Sequence, residues 1–269
     1  MILRRRTRFS AAIAGVRTGG RAHGHDYACE IAVSGSIDPV TGMVVNIKDI
    51  DHMMQSQIVR SFNHKLLDRD IPEFIEHPVT LEAIVAGIWR RVVSNVPAGC
   101  SLAEATLWES PTAWTALRAH VAGEDPVLSV TRAYEFSASH RLHSDLLSDL
   151  ENDALFGKCN WENGHGHNYE VEITFTGVPD PSTGELVSPE RLDRLVDEAI
   201  LKPFDHRYLN LDIPEFRALV PTSENVTVVI WNRLTEKLAG DTVGPGQLSK
   251  VVVKETPRNH FEYTGPDSP

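Results

Sequence analysis

Two histidines separated by a single glycine, His165-Gly166-His167, carry the strongest chemical signal in the chain. Alternate residues of a β-strand share a face, so both rings can reach one ion. His140, in Phe136-Ser-Ala-Ser-His140, supplies a third nitrogen from a neighbouring strand. Three neutral imidazoles with an open position are the donor set of a catalytic zinc that polarises a substrate oxygen, not of a closed structural site. Cys159 precedes His165 by six positions in the loop Gly157-Lys-Cys-Asn160, beside the metal rather than on it. A free cysteine is usually a small buried residue. Next to Lys158 and a dication, its thiol is expected to ionise more readily and to serve as a general base.

Asp205-His206 follows Lys202-Pro-Phe204 at the end of a helical stretch. Two readings stand side by side: polar residues that close a helix, or a carboxylate that orients and polarises an imidazole proton shuttle. Glu255 ends the apolar strand Val251 to Lys254. It is either solvated or accepts paired hydrogen bonds from a guanidine-like N–H edge, such as a pterin or guanine presents. Lys158, Arg141, Lys202 and Arg258 are candidate anion contacts.

The elements that must position these residues occur twice. Adding 142 carries His23-Gly-His25-Asp-Tyr27 onto His165-Gly-His167-Asn-Tyr169, Phe62-Asn63-His64 onto Phe204-Asp205-His206, Ile71-Pro-Glu-Phe74 onto Ile213-Pro-Glu-Phe216, and Trp89 onto Trp231. The offset is 146 for Glu109-Ser-Pro111 and Glu255-Thr-Pro257, and 127 for Phe9-Ser-Ala11 and Phe136-Ser-Ala138. So many coincidences in one order mean a tandem duplication. Each half reads as a strand (Thr7 to Val16; Val130 to Leu142), a second strand carrying the histidine pair, and a Pro/Thr/Gly turn. Two amphipathic helices follow (Ile47 to Phe62 and Leu81 to Val93; Pro189 to Lys202 and Ser223 to Leu238), the last opened by the cap-like Thr222-Ser-Glu-Asn225. Closing strands end in Ala105 to Trp108 or Lys250 to Lys254. This α+β plan places one domain in residues 1–125 and another in 126–269, with the boundary in Ala122-Gly-Glu-Asp-Pro126.

The change of offset from 142 to 127 marks fifteen extra residues in the second half, which hold the acidic Ser144 to Asp153 segment and the Cys159 loop. The first half has Ile13 opposite His140 and Asn63 opposite Asp205. It has lost a metal ligand, the thiol and a carboxylate together, and reads as a degenerate, structural copy.

With 26 Lys and Arg against 37 Asp and Glu, the formal charge is -11, which disfavours a nucleic-acid partner. Three widely separated cysteines are unlike a disulfide framework and fit a reducing cytoplasm. No span approaches the roughly 20 apolar residues of a membrane helix. The apolar run after Met1-Ile-Leu-Arg-Arg-Arg is short and interrupted by Gly15, so the start reads as mature protein. An HExxH motif is absent, which disfavours a zinc hydrolase.

The motifs FSASHRL, LFGKCNWENGHGHNYEV, KPFDHRYLN, PTSENV and VKETP, in this order through the second half, resemble the family of 6-pyruvoyltetrahydropterin synthase and its relative 6-carboxytetrahydropterin synthase of queuosine biosynthesis. FSAAIAG, AHGHDY, FNHKLLD and LWESPTAW resemble worn versions of the same motifs. The resemblance implies two tandem tunnelling-fold domains. Each is an antiparallel ββααββ sheet with helices on one face, oligomerising into β-barrels as a trimer of tandem chains or a stacked multiple. It implies Zn2+ on His140, His165 and His167, Cys159 as base, Asp205 and His206 as proton relay, Glu255 as pterin anchor, and Thr222 and Ser223 as substrate contacts. The implied substrate is 7,8-dihydroneopterin triphosphate, which loses triphosphate to give a 6-pyruvoyl tetrahydropterin. Five residues separate Cys159 from His165, the spacing of the pyruvoyl-forming enzyme, whereas the queuosine enzyme has a shorter one. Glu162 lies where related folate-type enzymes use a carboxylate; with a cysteine present it reads as loop surface. An alternative of another class is a non-catalytic pterin-binding or scaffold protein, a role that suits the first half.

Overall fold

A long pair of neighbouring strands opens each half of the chain, because alternating apolar residues give them one face to bury. The computed structural model describes residues 1–14, 21–119 and 125–266. The end of the first expected strand, Gly15 and Val16, and residues 122–124 of the expected boundary lie outside the described residues. Among the described residues no helix is long and apolar enough to cross a membrane.

The first compact unit comprises Met1–Thr131 together with Thr176–Leu186 and Gly244–Gly246. Strands β1 (Ile2–Ile13) and β2 (His23–Gly35) pair antiparallel from Ile2↔Ser34 to Ile13↔His23. β1 begins five residues before the expected Thr7, because Arg4, Arg5 and Arg6 find carboxylates on Glu30, Glu104 and Asp51. Tyr27, Cys29, Ile31 and Val33 alternate onto the buried face, where Phe9 stacks on Tyr27 at 5.2 Å. β3 (Cys100–Ser110) and β4 (Ala113–Arg118) complete an open sheet in the order β1-β2-β3-β4. Helix α1 (Ile47–Met54) is capped by Asn46 and runs through a π-helical turn, Gln55–Val59, into Arg60–Phe62. Helix α2 (Leu81–Val93), capped by Thr80, buries Ile84, Val85, Ile88 and Val92 at helical spacing. The Glu82 carboxylate, held above its usual range by burial, accepts the Leu186 N–H at 2.9 Å.

The second unit comprises Arg132–Phe175, Val187–Val243 and Gln247–Pro269. It repeats the plan with β5 (Val127–His140), β6 (His165–Gly177), and an inserted helix α3 (Asp149–Phe156) between them. Helix α4 (Pro189–Val196) runs through a second π-helical turn, Asp197–Leu201, into Lys202–Phe204. A two-residue strand β7 (Arg207–Tyr208) then pairs parallel with β5. Helix α5 (Ser223–Gly240), β8 (Gln247–Thr256) and β9 (Asn259–Tyr263) close the unit, whose main sheet runs β5-β6-β8-β9. Phe136, Tyr169, Phe204 and Phe216 build the aromatic core that Phe9, Tyr27, Phe62 and Phe74 build in the first unit. Arg233 lies 4.9 Å over the Phe204 ring and pairs with Glu215, as Arg91 lies 4.9 Å over Phe62 and pairs with Glu73. Both units are thus the antiparallel ββααββ sheet of the tunnelling fold with its helices.

Candidate active site

β6 carries the site because its buried face ends in histidines. Tyr169, Val171, Ile173 and Phe175 are buried on one side, and the same alternation brings His167 and His165 onto that side at the start of the strand. His140, 1% exposed, ends β5. One donor atom from each of His140, His165 and His167 lies within 4.8 Å of the others. The Pro221 carbonyl can only accept, so at 2.8 Å it fixes the proton of His140 on Nδ1 and leaves Nε2 a lone pair. His140 Nε2, His165 Nδ1 and His167 Nε2 are all buried without a hydrogen-bond partner. A buried unsatisfied polar atom costs about 1–3 kcal/mol, which three nitrogens turned inward recover by ligating a cation. Burial lowers the pKa of His140 and of His167, favouring the neutral form that a metal requires. The donor set therefore fits a divalent metal.

Two glycines make this approach possible. A Cβ on Gly166 would lie 3.2 Å from the Ala138 carbonyl oxygen. At Gly164, where φ is 66°, a Cβ would lie 2.6 Å from the His140 carbonyl oxygen. Only glycine lets the Cys159 loop turn into β6 against the last residue of β5.

Glu255 faces the same nitrogens. Its Oε1 is 3.6 Å from His140 Nε2 and 3.7 Å from His167 Nε2, and its Oε2 accepts from the Asn259 amide at 3.2 Å. It is neither a solvated strand end nor remote from the histidines.

The inserted residues fold as α3, closed at its start by a reciprocal Ser148–Glu151 capping box, and as a 3-10 turn, Gly157–Asn160, that contains Cys159. Leu142 N donates to the Cys159 carbonyl at 2.8 Å. Buried Asn160 ties the loop down: Arg141 Nε donates to its carbonyl at 2.9 Å, its Oδ1 is 2.9 Å from His143 Nδ1, and its amide donates to Asp153 at 2.6 Å. Burial first, and then the charge of Glu255, pushes the Cys159 thiol up. The expected lowering by Lys158 does not appear among the protein's own charges; a dication on the histidines is the charge that would supply it. Arg141 is engaged in this loop and Lys202 pairs with Asp197 at 2.6 Å, while Lys158 and Arg258 are exposed, as is Glu162.

The Asp205 carboxylate bonds away from the helix that it follows. Oδ1 accepts the Ser137 N–H of β5 at 2.8 Å, and Oδ2 lies 2.9 Å from His206 Nδ1. The Ser137 N–H foremost, then His206, holds this carboxylate below its usual range. His206 sits in the left-handed region at φ 57° with its side chain 83% exposed. Thr222 caps α5, accepting from Asn225 N at 3.4 Å, and Ser223 is buried beneath it. A cavity of about 1020 Å³ joins the two groups, lined among others by His167, His206, Arg207, Tyr208, Glu255 and Thr256. Cys159, Thr222 and Ser223 do not line it. Reading the sequence missed Pro221 and Asn160. Pro221 acts through a backbone oxygen that no side-chain motif announces, whereas Asn160 directly follows the cysteine.

The family model described as 6-pyruvoyl tetrahydropterin synthase matches residues 3–120 and again 129–266. The 6-pyruvoyl tetrahydrobiopterin synthase of Homo sapiens is 48% identical over 136 residues, covering 51% of this chain and 90% of that protein. The same enzyme of Drosophila melanogaster is 43% identical over 143 residues, covering 53% and 83%. A solved structure of Caenorhabditis elegans 6-pyruvoyl tetrahydropterin synthase is 40% identical, with a TM-score of 0.49, covering 52% of this chain and 97% of that one.

Proposed function

The chain belongs to the 6-pyruvoyl tetrahydropterin synthase family, and from that premise we propose that its second unit is a zinc-dependent pterin synthase acting on 7,8-dihydroneopterin triphosphate. The observation that carries the proposal is the set of three buried, unpartnered nitrogens on His140, His165 and His167 beside the Cys159 loop and the Asp205–His206 pair. The three histidines hold the zinc, which when bound polarises an oxygen of the substrate side chain.

Each remaining group has a task that its surroundings suit. Cys159, fixed by Asn160 at the mouth of the loop, takes a proton from a side-chain carbon as its thiolate. His206, polarised by Asp205, moves a proton at the solvent-facing side. Glu255 accepts the N–H edge of the pterin. Thr222 and Ser223 contact substrate from the start of α5, which the Pro221–His140 bond brings beside the cluster. Elimination of triphosphate and tautomerisation leave one side-chain carbonyl, and oxidation of the remaining carbinol, its two hydrogens passing to the C=N bond of the dihydropterin ring, gives the 6-pyruvoyl tetrahydropterin. The first unit, with Ile13 and Asn63 in place of His140 and Asp205, has a structural role in a cytoplasmic homo-oligomer.

Incubation of zinc-loaded protein with 7,8-dihydroneopterin triphosphate tests the reading. Release of triphosphate with a pyruvoyl product is expected. Release of acetaldehyde would instead identify the carboxy-forming relative, and the absence of any triphosphate release would leave a pterin-binding scaffold.

A further inference from the structure

The first unit keeps more of a metal site than the loss of one histidine suggests. His23 Nδ1 and His25 Nε2 are buried without a hydrogen-bond partner, the same two atoms at the same two strand positions as His165 Nδ1 and His167 Nε2. Their ring centroids are 5.1 Å apart at an interplanar angle of 82°, against 4.8 Å and 79° for His165 and His167. Glu109 Oε1 lies 3.2 Å from His25 Nε2, where Glu255 Oε1 lies 3.7 Å from His167 Nε2. Although that distance is short, His25 Nε2 makes no hydrogen bond to the carboxylate. Two ligands held about 2.1 Å from one ion at a tetrahedral angle are about 3.4 Å apart, so the 3.2 Å between His25 Nε2 and Glu109 Oε1 is compatible with a shared ion.

We infer that the first unit binds a divalent first-row transition ion through His23 Nδ1, His25 Nε2 and Glu109, with water completing its coordination. Two imidazoles and a carboxylate are a recognised donor set for such ions. Ile13, in register with His23, contributes no donor. The set is therefore the looser of the two: among the described residues, the three-histidine cluster alone gathers three such donors within 4.8 Å of one another. A cavity of about 510 Å³, lined by His25, His64 and Lys65 among others, opens beside the site.

The machinery for turnover is missing around it. The scaffold survives: Ser10 N donates to Asn63 Oδ1 at 2.8 Å and His64 keeps φ 57°, as at Asp205 and His206. However, Asn63 is neutral and no residue of the first half aligns with Cys159. This is a site that holds an ion without a base to use it.

The test is metal stoichiometry on the full chain, metal-depleted and then titrated with Zn2+ or Co2+ by calorimetry against a chelator. The His23→Ala/His25→Ala variant is expected to bind one ion fewer per chain than the wild type, the lost ion being the weaker one. That difference does not depend on whether the second unit binds zinc, so failure there is read separately. Equal stoichiometry in the two proteins overturns the inference. Should the double variant unfold, Glu109→Gln carries the same test: the weaker affinity is expected to fall by about tenfold or more, because a direct ligand is worth at least what an outer partner is. An unchanged affinity overturns it. Ile13→His, restoring a third nitrogen, is expected to tighten that site by a similar factor.

Discussion

Asp205 and Asn63 hold the same backbone bond in the two units, each side-chain oxygen 2.8 Å from the N–H of the serine that follows the core phenylalanine of the first strand. The next residue, His206 or His64, is left-handed in both at φ 57°. The strained turn is therefore a property of the fold, and what distinguishes the second unit is the charge that Asp205 presents to His206 Nδ1 at 2.9 Å.

Asp205→Asn should consequently separate charge from structure. The amide can keep the Ser137 bond, so the melting temperature is expected to stay within about 2 °C of the wild type. Loss of the polarising carboxylate should lower kcat by about 100-fold or more, the usual scale of proton-transfer catalysis. Steady-state kinetics showing a kcat within about twofold of the wild type would remove the pair from the mechanism.

Cys159 offers a pH test with a definite sign. Without a cation, burial and Glu255 raise its thiol, so alkylation of this residue by iodoacetamide should have its midpoint above the ordinary cysteine value of about 8.5. Below that midpoint the thiol is protonated and slow to react. A dication on the histidines favours the thiolate, so zinc loading should move the midpoint to lower pH by about one unit or more. Cys29, fully buried with its thiol pushed up to about 12, should remain unlabelled and serve as the internal reference in peptide mapping. Cys159→Ala should abolish turnover and retain zinc. A midpoint that does not respond to zinc would mean that the thiol lies too far from the metal to act beside it.

Glu255 is placed where two roles compete, since its Oε1 is within 3.7 Å of two histidine nitrogens while its proposed task is to read the pterin edge. Glu255→Gln keeps the shape and removes the charge. A hydrogen bond to a charged group is worth about 1.5–3 kcal/mol, so the KM should rise by about 10- to 100-fold with zinc affinity unchanged. Zinc affinity falling by the same factor would make Glu255 a ligand and leave the anchor to another residue.

The histidine cluster was legible in the sequence because strand alternation places His165 and His167 on one face whatever the rest of the chain does, and the repeat supplied the two-domain plan through fixed offsets. The helix in the insertion was missed, although Ser148 and Glu151 are spaced as a capping box. The first turn of that helix lies within the acidic Ser144 to Asp153 segment, whose composition does not by itself specify a helix. The π-helical turns Gln55–Val59 and Asp197–Leu201 left no trace, since both copies carry them and the offset is unchanged. Pro221 could not be read, because a carbonyl contributed 81 residues from His140 depends on tertiary packing alone. The engagement of Arg141 with Asn160 and of Lys202 with Asp197 was equally hidden: charge in a sequence does not say which partner has already claimed it.

Gly164 joins the Cys159 loop to the proposed metal ligands His165 and His167, and its replacement should expose that coupling. Two costs fall on Gly164→Ala. A left-handed alanine loses about 1–2 kcal/mol, and its Cβ would also stand 2.6 Å from the His140 carbonyl oxygen, a backbone atom that cannot rotate away. Relief requires the end of β5 to move, which carries His140 Nε2 away from His165 and His167. Gly42 provides the comparison, since it is also left-handed at φ 71° but a Cβ there meets nothing within 4 Å. Gly42→Ala should therefore show only the backbone cost in chemical denaturation and bind zinc as the wild type does. Gly164→Ala should be destabilised further and lose zinc affinity by about tenfold or more, as mispositioned ligands do. Equal zinc affinity in the two variants would show that the loop junction and the metal cluster are mechanically independent.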